Sequence, residues 1–183
     1  MKYVITQYGN PVLREKATPI KEVDDAMRVL ADDMLETMRA AEGVGLAAQQ
    51  IDKTIAICVV DVPKVYDVDA EGNPLNPEAE MPLVLINPEI TGYSPATETG
   101  DEGCLSFPGV SGPVPRSIEI DVQFLDRQGL PRELHLQGFV ARAVQHEIDH
   151  LNGILFIDRM SAVKRITLSG RLKRMRRETQ ASL

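Results

Sequence analysis

The sequence predicts an α+β fold in a single domain, with antiparallel strands in the middle of the chain and helices at both ends. Apolar residues recur at helical spacing over residues 24–43 and again over 139–151. Between these segments, apolar and polar residues alternate on both sides of the turn sequence DRQG at 126–129, which indicates a β-hairpin. The 183 residues are enough to bury a core without disulfide bonds, so we expect one domain over 1–183.

The first helix is predicted over residues 24–43. Acidic residues crowd its start, and Gly43 stands where a helix would end. One face of the helix carries apolar residues at helical spacing: Met27, Leu30, Met34 and Met38. The Gly/Ala-rich stretch GVGLAAQQI at 43–51 follows and leads into IAICVV at 55–60, a short run typical of a buried strand.

The middle of the chain combines a long loop with further strands. Residues from Asp61 to Pro82 are acidic and rich in turn formers, which predicts a long surface loop. Strand character resumes in LVLINPEI at 83–90, and the hairpin occupies 117–139. The helix at 139–151 comes directly after this hairpin.

Composition limits the cellular setting. No apolar run approaches the length needed to span a bilayer, and the N-terminal sequence MKYVITQYGNP lacks the features of a signal peptide. We therefore expect a cytoplasmic protein. Cys58 lies inside an apolar run, which is typical of a buried thiol. With Cys104 as the only other cysteine, no disulfide framework is expected.

Charge is distributed unevenly along the chain. The net charge is −7, but the C-terminal segment 161–183 carries seven Lys or Arg residues against a single glutamate. We predict a basic C-terminal helix over this segment, weakened by Gly170. Such a helix favours a polyanionic partner, although a merely solvated helix face gives the same pattern.

The helix at 139–151 contains the pattern His-Glu-x-x-His, formed by His146, Glu147 and His150. At about 100° per residue, both histidines share a narrow stripe with Phe139 and Ala143. A second, apolar face, which would anchor the helix in the core, is formed by Val140, Val144, Ile148 and Leu151. We predict a central metal-binding helix in which Glu147 reaches a water molecule without being a ligand.

Two histidines need a third protein ligand to form a catalytic metal site. The metzincin pattern requires a histidine where this sequence has Phe156, and a thermolysin-like site requires a downstream glutamate, of which only Glu178 in the basic tail is available. Asp158 remains as a carboxylate candidate. Cys104, in the stretch GDEGCLSFPG, is the stronger candidate, because a thiolate binds soft and borderline cations well.

Three motifs resemble those of the peptide deformylase family, in the same order and spacing. They are GVGLAAQQI (43–51), EGCLS (102–106) and QHEIDHLNG (145–153). The N-terminal sequence YGNPVLR and the helix before Gly43 are also similar to that family, so the resemblance covers nearly the whole chain. It implies a hydrolase of protein biosynthesis that performs N-terminal processing during translation. The reaction would remove the formyl group from the N-terminal formyl-methionine of nascent polypeptides and release formate.

The resemblance also implies roles for individual residues. The metal ligands would be Cys104, His146 and His150. They would hold one Fe²⁺ per chain, with Zn²⁺, Ni²⁺ or Co²⁺ as substitutes. Glu147 would act as general acid and base, while the side-chain amide of Gln50 and the backbone N–H of Leu105 would bind the developing oxyanion.

Further positions are implied to contact the substrate. Three would face its backbone: Val44, Gly45 and Gly103. Three would surround the methionine side chain: Phe139, Arg142 and Ala143. We expect the aliphatic stem of Arg142 to line the rim of that pocket while its guanidinium reaches water. Glu42 and Arg116 are expected to form an ion pair that braces the site.

The expected partners are N-formylmethionyl peptides and, through the basic C-terminal helix, ribosomal RNA near the peptide exit. No membrane or DNA partner is expected. Two alternatives remain open at this point. The first is a zinc endopeptidase of the HExxH type with a carboxylate as third ligand. The second is a non-enzymatic protein, which has either a structural metal site or a catalytically inactive deformylase-like site. The endopeptidase predicts that Cys104→Ser retains metal, whereas the deformylase predicts that it does not.

Overall fold

The computed structural model describes every residue from 1 to 183, and its first long element is the helix α1 (Asp25–Ala40). The side chain of Asp24 caps this helix by accepting a backbone hydrogen bond from its first turn. At the other end, Glu42 takes a left-handed conformation with φ 58°, and the Gly43 N–H bonds back to the last turn. The predicted N-terminal helix and its stop before Gly43 are therefore confirmed.

Five antiparallel strands form the main sheet: β1 (Gly45–Ala47), β2 (Ile57–Val60), β3 (Leu83–Tyr93), β6 (Glu119–Leu125) and β7 (Pro131–Gln137). Their spatial order is β1-β2-β3-β6-β7. The apolar run predicted as a strand at 55–60 contains β2, and the run at 83–90 forms most of β3. Apolar clusters cover both faces of the sheet there, which explains the unbroken apolar runs. The short strand β1 is an edge strand.

The predicted β-hairpin is the pair β6–β7, which runs in register from Glu119 opposite Gln137 to Leu125 opposite Pro131. Its turn is held by Asp126, whose side chain accepts hydrogen bonds from two backbone N–H groups of the turn.

A second sheet of two strands, β4 (Thr97–Gly103) and β5 (Ser111–Ser117), was not predicted. Their sequences, TETGDEG and SGPVPRS, show no alternation of apolar and polar residues. The buried positions of β5 are Gly112, Val114 and Arg116, so burial alternates although hydrophobicity does not. β4 and β5 pair through backbone hydrogen bonds, which cannot be predicted from the pattern of apolar residues.

The central helix α2 (Gly138–Leu151) starts one residue before its predicted start and packs against strands of both sheets. Its predicted apolar face is buried in the core formed with the main sheet: Val140, Val144, Ile148 and Leu151. Because this face fixes the helix, the opposite face is held toward the space between β1 and β4. The antiparallel strands around a central helix agree with the predicted α+β class.

The helix α3 (Ala162–Ala181) is the predicted basic C-terminal helix, and Gly170 does not interrupt it. Its buried residue Leu172 packs in an apolar cluster with Phe107 and Phe156. The segment 61–82 is the predicted long loop, with one short 3₁₀ turn at Lys64–Tyr66. None of the helices combines the length and apolar character needed to cross a membrane.

Candidate active site and metal centre

Three side chains from two elements converge between the sheets. Cys104 follows the last residue of β4, and His146 and His150 lie one helical turn apart on α2. One ligand atom from each residue lies within 4.8 Å of the other two. The Sγ atom of Cys104 is 3.4 Å from Nε2 of His150. The structure therefore brings together the three residues that the motifs pointed to.

A hydrogen bond orients one histidine of the cluster, and burial sets the protonation state of the other. Nδ1 of His146 lies 2.8 Å from Oε1 of Glu102, which fixes the ring and leaves Nε2 facing Cys104. Burial lowers the pKa of His150 and keeps its imidazole neutral, the form that binds metals. One sulfur and two imidazole nitrogens are a donor set that fits a divalent cation of borderline softness. This cluster is a metal site.

Glu147 lies beside this cluster. Its side chain is buried, and Oε2 has no hydrogen-bond partner within the protein. Burial raises the pKa of Glu147 to about 7. A Cβ at position 45 would lie only 2.3 Å from Oε1 of Glu147. Gly45 on β1 is thus required because the carboxylate packs directly against the backbone there.

Gln50 is the other polar group in contact with the cluster. Its Oε1 accepts a hydrogen bond of 2.9 Å from the Ala47 N–H, which fixes the orientation of the amide. Its Nε2 then points toward Ser106 Oγ at 3.2 Å and Cys104 Sγ at 3.5 Å. Leu105 directly follows Cys104, and its backbone N–H donates to no acceptor within the protein. Both predicted oxyanion donors therefore lie beside Cys104.

A buried charge network supports the site, and most of it was not predicted. Glu102 accepts hydrogen bonds from Nε and Nη2 of Arg116, at 2.9 and 3.0 Å, as well as from His146. Arg116 also donates to Asp149 at 2.5 Å, and Asp149 accepts from Arg159 nearer the surface. Burial raises the pKa of Glu102, but the hydrogen bonds from His146 and Arg116 outweigh burial and hold the pKa at about 2. The network therefore keeps an ionised carboxylate on His146.

Two expectations about this region were wrong. Arg116 pairs with Glu102 and Asp149, and no ion pair with Glu42 exists. Glu42 is held away from Arg116 by its position in the turn that ends α1, although it lines a cavity beside the metal cluster. The guanidinium of Arg142 does not extend into solvent as expected; it donates to Glu102 and to two backbone carbonyls, and the side chain is only 12% exposed. A buried acid offers Arg142 a better partner than solvent does.

The cluster opens into a cavity of about 490 Å³. Every residue predicted to contact the substrate lines it: Val44, Gly45, Gly103, Phe139, Arg142 and Ala143. Phe139 is partly exposed at the rim, 6.1 Å from the ring of Tyr66. The cavity thus joins the metal cluster, Glu147 and the predicted pocket in one space.

The carboxylate alternative for the third ligand is engaged elsewhere. Asp158 forms an ion pair with Arg14 and caps a 3₁₀ turn through the Leu155 N–H. Glu178 is exposed on α3. Neither joins the histidines, whereas Cys104 does.

Comparisons with known proteins agree with this geometry. A family model described as Polypeptide deformylase matches residues 2–166. The chain is 43% identical to a peptide deformylase of Opitutus terrae over 100% of this chain and 97% of that protein. The crystal structure of peptide deformylase from Thermus thermophilus is 40% identical and covers 97% of this chain and 99% of its own, with a TM-score of 0.83. The chain belongs to the peptide deformylase family.

A third relative, the peptide deformylase of Alkalilimnicola ehrlichii, is 45% identical over 98% of this chain and 93% of its own length. Membership of the peptide deformylase family confirms the predicted enzyme class, a metal-dependent hydrolase that acts on nascent chains. It also confirms the predicted fold. The HExxH endopeptidase alternative is not favoured, because a deformylase-type Cys/His/His site is present.

Proposed function

We propose that the cavity beside the Cys104 cluster is where this chain removes the formyl group from formyl-methionine and releases formate. The observation that carries this proposal is the convergence of Cys104, His146 and His150, with Glu147 lining the same cavity as Cys104 and His146. A closed structural site would need a fourth protein ligand. No further His, Cys, Asp or Glu belongs to the cluster, so a position is left for substrate or water.

We assign one divalent cation per chain to the three ligands, and Fe²⁺ is the ion we propose, with Zn²⁺, Ni²⁺ or Co²⁺ as substitutes. When bound, such a cation supplies Lewis acidity that polarises a carbonyl and acidifies water. A thiolate among the ligands reduces the net positive charge of the centre. The protein must therefore contribute more of the proton transfer itself.

Glu147 is the residue we propose for that proton transfer. Its side chain lines the cavity and Oε2 has no hydrogen-bond partner within the protein, so we propose that the carboxylate takes a proton from the attacking water and later delivers it to the departing amine. Packing against Gly45 holds the carboxylate in place without occupying its oxygen in a hydrogen bond. The geometry suits a group that must both accept and return a proton.

We propose that Gln50 Nε2 and the Leu105 N–H stabilise negative charge on the formyl oxygen. Both flank Cys104, and the amide is oriented by its bond to the Ala47 N–H. Removing one such donor from a buried site costs roughly 3–4 kcal/mol in transition-state stabilisation. The buried Ser106 hydroxyl further restrains the Gln50 amide.

The peptide part of the substrate would bind as an added strand. β1 is an edge strand, and both β1 and the end of β4 border the cavity. A peptide between them would use backbone hydrogen bonds that do not depend on its side chains. Val44, Gly45 and Gly103 would provide these contacts, while Phe139, Arg142 and Ala143 would enclose the methionine side chain. Such a site accepts many nascent sequences but only one kind of first residue.

We also propose that α3 brings the enzyme to ribosomal RNA near the peptide exit, in the cytoplasm. None of the seven basic side chains of 161–183 forms an ion pair within the chain. They are therefore available to phosphates. Because α3 packs on the body through Leu172, we treat residues 1–183 as one domain.

The proposed association predicts that the enzyme sediments with ribosomes at low salt and dissociates as salt rises. Replacing the exposed Lys173, Arg174 and Arg177 with glutamine should abolish sedimentation with ribosomes while leaving the Leu172 contact intact. Replacing Lys2, Lys16 and Lys21 with glutamine, exposed residues outside α3, removes the same charge and should have little effect. If the α3 variant still sediments with ribosomes and does so at every salt concentration, α3 does not bind the ribosome and is only a solvated helix face.

The function itself is tested by formate release. Protein purified without oxygen and analysed for metal should release formate from formyl-Met peptides, but no acetate from acetyl-Met peptides. It should not cleave internal peptide bonds. Cleavage within chains would instead support the endopeptidase, and metal-loaded protein without formate release would support the non-enzymatic alternative.

A further inference from the structure

The N-terminal segment, which we define as residues 5–8, connects two parts of the site that are distant in sequence. The Thr6 N–H donates to the Gln50 carbonyl at 2.8 Å, and the Tyr8 N–H donates to the Ser106 carbonyl at 2.9 Å. The two acceptors are 56 positions apart, whereas one residue separates the two donors. The N-terminal segment therefore fixes the turn that contains Gln50 relative to the loop that follows β4.

The side chain of Gln7 adds a third contact between the N-terminal segment and this loop. Its Nε2 donates to the Leu105 carbonyl at 3.3 Å and to the Ile5 carbonyl at 3.0 Å. The amide is partly buried, and it does not line the cavity that contains the metal cluster. Gln7 thus contacts the residue that carries a predicted oxyanion donor while remaining outside the cavity where substrate would bind.

The loop after β4 is a tight turn whose orientation depends on these contacts. The Phe107 N–H donates to the Cys104 carbonyl at 2.9 Å, which makes Leu105 and Ser106 the two middle residues of the turn. The carbonyls of both middle residues accept hydrogen bonds from the N-terminal segment, so neither can rotate without losing a hydrogen bond. The direction of the free Leu105 N–H, relative to the Gln50 amide, is therefore set from outside the cavity.

The N-terminal segment is itself anchored on both sides. Before it, the Tyr3 N–H donates to Oγ1 of Thr37 on α1 at 3.0 Å. After it, Gly9 takes φ 113° and packs directly against the backbone of α3, since a Cβ at this position would lie 2.8 Å from Cα of Arg176. With both ends fixed, a change in the side chain of Gln7 should alter the contact with the loop and leave the path of the chain unchanged.

We propose that Gln7 is a positioning residue for deformylation, which holds the Leu105 N–H in the direction that binds the oxyanion. This inference rests on the proposed function, in which that N–H and the Gln50 amide stabilise negative charge on the formyl oxygen. Gln7 lines neither the substrate cavity nor the metal cluster. Its loss should therefore weaken an interaction made in the transition state, which lowers kcat but leaves KM and metal content nearly unchanged.

Gln7→Met and Gln7→Glu test this role, because both side chains have nearly the length of glutamine but cannot donate to a carbonyl. Gln123→Met is the matched control, since Gln123 is exposed on β6 and its side chain makes no hydrogen bond within the protein. Each protein is assayed per bound metal on a formyl-Met peptide and on the matching thioformyl-Met peptide, whose sulfur accepts hydrogen bonds more weakly than oxygen does. The measured quantities are kcat and KM for each peptide.

We expect kcat on formyl-Met to fall by about ten-fold in both Gln7 variants, with KM within about two-fold of the wild-type value. The thioformyl peptide gains less from the oxyanion donors, so its kcat should fall less. The preference for formyl over thioformyl should therefore decrease in both Gln7 variants and stay at the wild-type value in Gln123→Met. A simple loss of folded protein would lower both activities equally and would leave this preference unchanged.

Wild-type kcat in both Gln7 variants would overturn the proposal. A fall in kcat with an unchanged preference between the two peptides would also overturn it, and so would a rise in KM without a fall in kcat. Wild-type protein that releases no formate from formyl-Met would contradict the proposed function. Normal wild-type activity, together with Gln7 variants that behave like the control, would contradict only the role of Gln7.

Discussion

The central residues of the site are each held by a neighbour whose supporting role was not predicted from the motifs. Glu102 orients His146, and the backbone at Gly45 supports Glu147. The metal ligands and the acid/base residue could be recognised from sequence because their chemistry restricts the residue type and the helical spacing. The residues that support them, Glu102 and Gly45, are harder to recognise from sequence, since carboxylates and glycines have many other roles in proteins. Only the packed structure shows which groups they contact.

Glu147→Gln tests the proton-transfer role with little change in shape. We expect kcat to fall by about 10²–10⁴-fold, because the amide can neither accept nor return the proton. Metal content should remain at the wild-type level, since Glu147 is not part of the ligand cluster. Metal analysis and formate release on the same sample measure both quantities. A variant with normal turnover would show that another group transfers the proton.

Gly45→Ala tests the contact between β1 and Glu147. The added Cβ would lie 2.3 Å from Oε1, so the carboxylate must move. We expect kcat to fall by about 100-fold through this misplacement, with metal still bound. Gly170→Ala is the matched control, because its added Cβ meets nothing within 4 Å and should leave turnover unchanged. Equal activity in the two variants would mean that the carboxylate position does not limit catalysis.

Among the secondary-structure elements, those with an apolar pattern, turn residues or a charged run were predicted, whereas the β4–β5 pair was missed. α1, α2 and the β6–β7 hairpin follow from periodicity and turn chemistry, and β2 and β3 follow from unbroken apolar runs. The β4–β5 pair does not, because its inward positions on β5 are Gly112, Val114 and Arg116. Arg116 can face inward only because Glu102 and Asp149 receive it. Such tertiary pairing has no local signature in the sequence.

The same lesson holds for Arg142, whose guanidinium was expected in water. Its helical position was read correctly from the motif, but its direction depends on β4 and β5, which were not predicted. The error about Glu42 has a similar origin, since its expected partner Arg116 lies on β5, which was not predicted, and pairs with Glu102 and Asp149. For these two residues the position along the chain could be inferred, whereas the partner on another element could not.

The stability of α3 can be tested at Gly170, a residue with low helix propensity that lies within the helix. Gly170→Ala should raise the free energy of unfolding by about 0.5–1 kcal/mol, because alanine loses less backbone entropy in a helix. The substitution creates no contact, so the gain would come from helix propensity alone. Urea denaturation monitored by circular dichroism measures it. A loss of stability would indicate that α3 is not helical at this point in solution.

In the whole molecule, the buried charge network joins both strands of the small sheet to α2 around the metal site. Glu102 on β4 bonds to Arg116 on β5 and to Arg142 and His146 on α2. This arrangement couples the fold to pH. A carboxyl group whose pKa is lowered by folding stabilises the fold above its unfolded pKa, and that contribution is lost as pH falls through the folded pKa.

For Glu102, the ordinary pKa of 4.5 falls to about 2 in the folded protein. Wild-type protein should therefore lose this part of its free energy of unfolding between about pH 4.5 and 2. Glu102→Gln should be less stable than wild type at pH 7 but should lose less of its remaining stability over that acid range. Glu178→Gln, at an exposed site without an ion pair, serves as control. A Glu102→Gln curve parallel to wild type would contradict the assigned role of the network.

The central claim is that a metal held by Cys104, His146 and His150 carries out deformylation in this chain. The most direct measurement is bound metal and formate release from a formyl-Met peptide, compared between wild type and Cys104→Ser. Cys58→Ala, at the buried cysteine of β2, is the control for loss of a thiol. We predict one metal per chain and formate release in wild type and in the control, and loss of both in Cys104→Ser. Retention of metal and activity by Cys104→Ser would contradict the account.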